Sequence, residues 1–198
     1  MEFREVVRRR RMVRRFEQRP LPPELLDRVL ESAMHAPSAG FSQGTTLVVL
    51  DRPEAVERFW ATIADPAWEH RLDRSAGPPV LVLVLSDKQA YLDRYGEPDK
   101  AGLGMDVEQG WPVPYWDLDA AMGAMLLLLA AVDAGIGGWL FGVFYGEQPL
   151  LADLGVPPGR RLIGVVGLGW PAAGDRPGGS PRRRRRRPLD EVVHRGRW

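Results

Sequence analysis

DAAMGAMLLLLAAVDAGIGGWLFGVF, residues 119–144, changes its pattern halfway along. Residues 120–132 form a run of 13 without a polar side chain, ending at Asp133. A bilayer span needs about 20 such residues, so the run predicts a helix over 117–134 buried in a protein core. Gly135, Gly137 and Gly138 follow, and the aromatic-rich GGWLFGVF predicts a strand. A buried helix turning directly into a strand points to a domain mixing helices with a sheet.

The same alternation extends outward. PPELLDRVLESAMHAP, residues 22–37, opens on prolines suited to a first helical turn and repeats Leu25, Leu26, Val29, Leu30 and Ala33 at helical spacing. PSAGFSQG is a loop of small residues and breakers, and TTLVVL a strand. Residues 54–64 predict a helix, and PVLVLVL, residues 79–85, a central strand. Residues 86–116 show no regular period. A short helix near residues 150–154 leads to a last strand, RLIGVVGLGW. Residues 2–11 predict a short N-terminal helix. Residues 171–187 are Gly, Pro and Arg with almost no apolar content, an extended, exposed arm. Length favours one domain over 1–198, with 171–198 as its arm.

Composition excludes several classes. With no cysteine, thiolate metal sites, disulfides and cysteine nucleophiles are absent, which fits a reducing compartment such as the cytoplasm. No apolar h-region of a signal peptide precedes the domain, and no membrane span is expected. His35, His70 and His194 lie far apart in sequence and form no metal-ligand pair, so no metal is expected. GFSQG, residues 40–44, matches a serine-elbow pattern, but a helix precedes it and a strand follows, the reverse of what the elbow needs. GLGWPA, residues 167–172, runs into Pro171 rather than opening the helix that a dinucleotide fingerprint requires.

The arginines remain. RRRRMVRRF, residues 8–16, and RRRRRRPL, residues 182–189, concentrate positive charge at both ends of a chain whose net charge is +1. Either run could be a solvated face, or a nucleic-acid arm whose affinity falls with salt. Nucleic-acid arms belong to basic proteins, however, and here 26 acidic residues offset 27 basic ones. A small phosphorylated ligand explains the clusters better, because guanidinium forks match a phosphate dianion.

In RR-M-V-RR-F followed by APSAGFSQ, the chain resembles the FMN-dependent nitroreductase family, whose members carry an Arg-x-Ser-x-Arg/Lys element and a later A-P-S-A-G-N-S-Q-P-W loop. DAAMGAMLLLLAAVDAGIGG is similar to the family's central helix and glycine turn. LFGVF matches its flavin-facing strand, and RRRRRRPLDEVV its C-terminal Lys/Arg-x-Arg element. The resemblance implies an α+β fold with a mainly antiparallel central sheet flanked by helices, and a C-terminal arm exchanged in a homodimer. It implies FMN as cofactor and NAD(P)H as donor, in a ping-pong cycle ending on a small electron-poor acceptor such as a quinone or nitroaromatic. No nucleic-acid or membrane partner is expected, with nucleic-acid binding through the arginine run a distant alternative.

Residue by residue, the resemblance puts Arg10, with Arg11 beside it, on the FMN phosphate, joined by Arg184 and Arg186 from the arm. Arg14 would face the flavin N1/O2 edge and tune its potential. Pro37, Ser38, Ala39 and Gln43 would line the isoalloxazine from the second subunit. The Gly142 N–H would point at N5 with Phe141 beside it, so Gly142 and Arg14 are the expected catalytic groups. Met12 replaces the family's serine, Phe41 its asparagine, and Gly44-Thr45 its Pro-Trp, so Phe41 bears on substrate choice. It also leaves open an oxidase or dehydrogenase acting on a biosynthetic intermediate. Trp111, Tyr115 and Trp116 are either a lid over the substrate pocket or ordinary core aromatics. Asp117 and Asp119 read as helix N-terminal residues favoured by the dipole.

Overall fold

The computed structural model describes residues 1–64, 76–176 and 183–198. His70 and Arg182 lie outside them. In chain order the elements are α1 (Phe3–Arg9), α2 (Pro23–Ala33), β1 (Thr45–Leu50), α3 (Pro53–Thr62), β2 (Val80–Asp87), α4 (Lys88–Tyr95), α5 (Tyr115–Asp133), β3 (Gly137–Phe141), α6 (Glu147–Asp153) and β4 (Arg160–Gly169). The strands form one sheet in the order β1-β2-β4-β3, with every pairing antiparallel.

The apolar run of β2 shows why the sheet is covered on both faces. Side chains alternate across a strand, so Val80, Val82 and Val84 enter one core with α2 and α5. Leu81, Leu83 and Leu85 enter a second core with Phe59 and Trp60 of α3 and Leu150 and Leu151 of α6. A strand buried on both faces has no polar side to show, hence its unbroken hydrophobicity.

By length and composition alone, α5 could cross a membrane. It lies across the sheet instead, burying Trp116, Asp119, Ala120, Gly123, Ala124, Leu127, Leu128 and Ala131. Gly138 permits this approach: a Cβ there would stand 2.8 Å from Leu128 Cδ2. Leu118, Met122 and Met125 follow one another at helical spacing on the exposed side of α5.

Three expectations from the sequence need correction. The region 86–116 contains α4, although no apolar period announces it. The strand expected through residue 144 ends at Phe141, the last residue paired with β4. The arm does not begin at 171. Phe16 bridges to Pro171, Glu17 N–H donates to the Trp170 carbonyl at 2.9 Å, and Ala172 N–H to that of Arg15 at 2.9 Å. Residues 170–175 are thereby fastened to the N-terminal arginine segment. Residues 183–198 are exposed throughout.

Candidate functional site

The arginine segment lies along the free edge of β3. Met12 forms a parallel bridge with Gly138, and Val13 N–H donates to the Gly138 carbonyl at 3.0 Å. The close approach depends on Gly137, where a Cβ would meet three Val13 side-chain carbons at 2.8–2.9 Å. Leu140 N–H points at Met12 Sδ, 3.4 Å away. The thioether thus occupies an edge donor of β3, a weak acceptor in place of a hydroxyl. The segment, β3 and Gly142, one residue beyond the strand, share one edge of the sheet.

Arg10 closes α1, its N–H bonded to the Val6 carbonyl at 2.9 Å. Its guanidinium Nη1 is buried and has no hydrogen-bond partner among the described residues. Unpartnered buried donors are rare and costly, and each calls for an explanation. A cationic donor among further arginines fits an anionic ligand. Arg14 projects into solvent, while the Arg11 guanidinium is ion-paired with Asp175. Burial alone would raise the Asp175 pKa. Arg11 and the N–H groups of Arg14 and Arg15 outweigh it and hold the carboxyl below its usual 3.8. Asp175 was not anticipated from the sequence, although it is the one acid in the otherwise basic stretch 171–187.

The 37–43 loop is built differently and stands elsewhere. Ala39 N–H donates to Asp119 Oδ2 at 2.9 Å, Gln43 N–H to Ser38 Oγ at 3.1 Å, and Arg94 Nε to the Gly40 carbonyl at 2.9 Å. Gly40, Phe41 and Gln43 have φ of 61°, 56° and 51°. Left-handed backbone is uncommon for a non-glycine residue and unusual for a bulky aromatic one, and such strain concentrates at functional sites. The Phe41 ring is 74% exposed. Ser42 Oγ donates to the Ala39 carbonyl at 2.6 Å and β1 follows, so the loop is no serine elbow.

Asp119 is not a helix N-terminal residue. It faces inward from the second turn of α5, 4% exposed, and also accepts from Tyr91 Oη at 2.8 Å. Burial, then the bond and charge of Asp119, push the Tyr91 phenol far up, so it remains a neutral donor. Asp117 is in the first turn and accepts from Ser86 Oγ and from Arg161, both at 2.7 Å.

The aromatic residues of 111–116 form a seat rather than a lid. Trp111 and Trp116 are buried around Tyr91, with Trp111 Nε1 donating to the Met105 carbonyl at 2.7 Å. Tyr95 packs edge-on to Trp111 at 4.6 Å, and a Cβ on Gly40 would stand 2.7 Å from the Tyr95 ring. The loop therefore rests on this cluster, and only Tyr115 of the three retains an exposed ring. Phe141 likewise turns away from the β3 edge, stacking on Trp60 at 5.5 Å in the second core.

One chain thus groups Arg10, Met12, Arg14 and Gly142 at the β3 edge, with Arg11 held by Asp175. The loop bearing Pro37, Ser38, Ala39, Phe41 and Gln43 leads into β1, the opposite edge, three strand spacings of about 4.8 Å away. Arg184 and Arg186 are exposed on the arm, where Arg187 Nε bonds Glu191 at 3.4 Å. A cleft of about 720 Å³ between α2, α3 and the start of β2, floored by Leu21, Leu26, Trp60 and Val80, contains none of these residues.

Comparisons with known proteins agree with this architecture. A curated relative from Thermus thermophilus, named NADH dehydrogenase, is 28% identical, covering 93% of this chain and 91% of its own. A nitroreductase family protein from Streptococcus pneumoniae superimposes with a TM-score of 0.74 at 22% identity, covering 98% and 99% of the two chains. A nitroreductase from Bacteroides fragilis solved with bound FMN gives 0.63 at 22% identity, covering 88% and 90%. The family model described as Nitroreductase family matches residues 7–170. The chain, an antiparallel α+β protein edged by an arginine segment, belongs to the nitroreductase family.

Proposed function

We propose that this chain, as a single flavin-binding domain over 1–198, is an FMN-dependent NAD(P)H oxidoreductase acting as a homodimer in the cytoplasm. The observation that carries the reading is the buried, unpartnered Nη1 of Arg10. It is a fixed cation with an unused donor, which a phosphate monoester satisfies. The FMN-bound relative and the curated name NADH dehydrogenase support the same cofactor and donor.

FMN, when bound, would supply the redox chemistry of a ping-pong hydride transfer, through its N5, from NAD(P)H to an electron-poor acceptor such as a quinone or nitroaromatic. The chain's own residues bind and orient. Arg10 holds the phosphate dianion, with the charge of Arg11 nearby and Arg184 and Arg186 reaching in from the arm. Arg14 supplies a cation for the pyrimidine edge, and the Gly142 N–H orients the ring. The 37–43 loop of a second copy covers the ring with Pro37, Ser38, Ala39 and Gln43, and Phe41 shapes the substrate pocket.

Three features support the second copy. The two halves of the site lie on opposite sheet edges. Leu118, Met122 and Met125 leave an apolar stripe on α5 uncovered, and the exposed arm carries Leu189, Val192, Val193 and Trp198. Contiguous exposed apolar surface marks association.

The exposed Phe41 favours one second reading, a flavin-dependent oxidase or dehydrogenase on a biosynthetic intermediate. Reoxidation of the reduced enzyme by quinone against oxygen separates the two. The primary test is FMN titration followed by the visible spectrum. Wild type takes up FMN and turns yellow, and Arg10→Ala weakens binding by about 10–100-fold, as expected for losing a charged hydrogen bond. A folded wild-type protein that stays colourless in excess FMN contradicts the proposal.

A further inference from the structure

From the geometry of the arginine segment we infer that Asp175 is a positioning residue of the flavin site: its carboxylate holds the backbone at Arg14 and Arg15 and the side chain of Arg11, in the segment that follows Arg10. The inference rests on the FMN reading above and concerns a residue beyond the matched family region, which ends at residue 170.

Residues 10–17 are neither helix nor full strand, so their N–H groups need partners from outside a regular ladder. Val13 N–H donates to the Gly138 carbonyl at 3.0 Å, Phe16 N–H to that of Ala76 at 2.8 Å, and Glu17 N–H to that of Trp170 at 2.9 Å. Between them come the N–H groups of Arg14 and Arg15. Both N–H groups converge on Asp175 Oδ1 at 3.0 Å. The second oxygen, Oδ2, takes the Arg11 guanidinium. One side chain thus stands in for a strand partner across the very residues that carry the positive charge.

Asp175 is itself fixed. Its N–H donates to the Ala172 carbonyl at 2.8 Å, and Ala172 N–H to the Arg15 carbonyl at 2.9 Å, so the carboxylate hangs on a tether clamped to the segment it supports. Its side chain is 4% exposed. A buried carboxylate persists only when its lone pairs are satisfied, and here three donors satisfy it. Asp175 thus engages the Arg11 guanidinium through Oδ2, whereas the buried Nη1 of Arg10 has no hydrogen-bond partner among the described residues.

Two substitutions separate positioning from bulk stabilisation. Asp175→Ala removes the acceptor and the charge. Asp175→Asn keeps an oxygen for the two N–H groups, removes the charge and replaces the oxygen that takes Arg11 by an NH2 donor. Asp175→Ala is expected to weaken FMN binding by about tenfold or more, the scale of a small misplacement of binding groups. It also speeds hydrogen exchange at the Arg14 and Arg15 amides in the FMN-free chain. Asp175→Asn is expected to keep both amides protected and to bind FMN no more weakly than wild type. Its flavin reduction potential should rise, because a negative charge beside the Arg14 backbone has gone. If the alanine variant does not fold, the asparagine variant decides alone: an unchanged potential with weakened binding overturns the inference. So does wild-type FMN affinity in Asp175→Ala, or equal losses in both variants. A wild-type protein that takes up no FMN overturns the functional reading and this inference with it. Normal wild-type uptake with indifferent variants removes the inference alone.

Discussion

At the scale of single residues, the site depends on two buried carboxylates that perform no chemistry themselves. Asp119 ties the 37–43 loop to the aromatic cluster through Ala39 N–H and Tyr91 Oη, at 2.9 and 2.8 Å. Removing the Tyr91 hydroxyl leaves this carboxylate one donor short in a buried setting. Tyr91→Phe is therefore expected to lower unfolding free energy by about 1–3 kcal/mol, the cost of an unsatisfied buried polar group, as read from denaturant unfolding. Loss of the restraint also weakens FMN binding. Wild-type stability in that variant would show that Asp119 finds its partners elsewhere. The role of Asp119 was present in the sequence but faint. It stands four, eight and twelve residues before Gly123, Leu127 and Ala131, on the row that α5 buries. Asp117, two residues away, lies off that row and meets Arg161 and Ser86. Acid content alone made the two look alike, and helical phase separates them. Asp175 had a comparable signal, a single acid in a basic tail, but its function arises from distant pairing that no local pattern carries.

At the scale of elements, close approach decides the architecture of the site. The arginine segment can lie on β3 only because Gly137 has no side chain: three Val13 carbons stand 2.8–2.9 Å from where a Cβ would be. Gly137→Ala is expected to cost about 1–3 kcal/mol through overpacking. It should weaken FMN binding at the same time, since relief requires the segment to lift from the strand. Thermal unfolding and FMN titration of one preparation test both, and a stability loss with unaltered affinity would uncouple segment from site. Elements with strong periods were legible in the sequence: α2, α5, β1, β2 and β4 follow from their apolar patterns. The helix α4 was not, because KQAYLDRY buries only Tyr91 and has almost no apolar face to repeat. Its visible signal was the Asp87 cap, which accepts Gln89 N–H at 2.9 Å. Trp111 and Trp116 illustrate the converse difficulty. Aromatics in an irregular stretch suit a lid or a seat equally well, and only the packing against Tyr91 and Tyr95 distinguishes them.

At the scale of the whole molecule, the residues proposed to bind the flavin divide between two edges of one chain. The β3 edge presents Arg10, Arg14 and Gly142, and the β1 edge presents the strained 37–43 loop. The family resemblance already implied that the loop serves a second subunit, whereas no local pattern gives the strand order, which follows from pairing across the sheet rather than from position in the chain. The arginine clusters pointed to a phosphate ligand, and the family motifs to a flavin. The distance between the edges, the uncovered stripe of α5 and the exposed arm support the proposed second copy. The most direct measurement is native mass spectrometry of the purified protein after incubation with excess FMN. The account predicts an assembly of two 22.1 kDa chains carrying two FMN molecules. A single chain without flavin would contradict it.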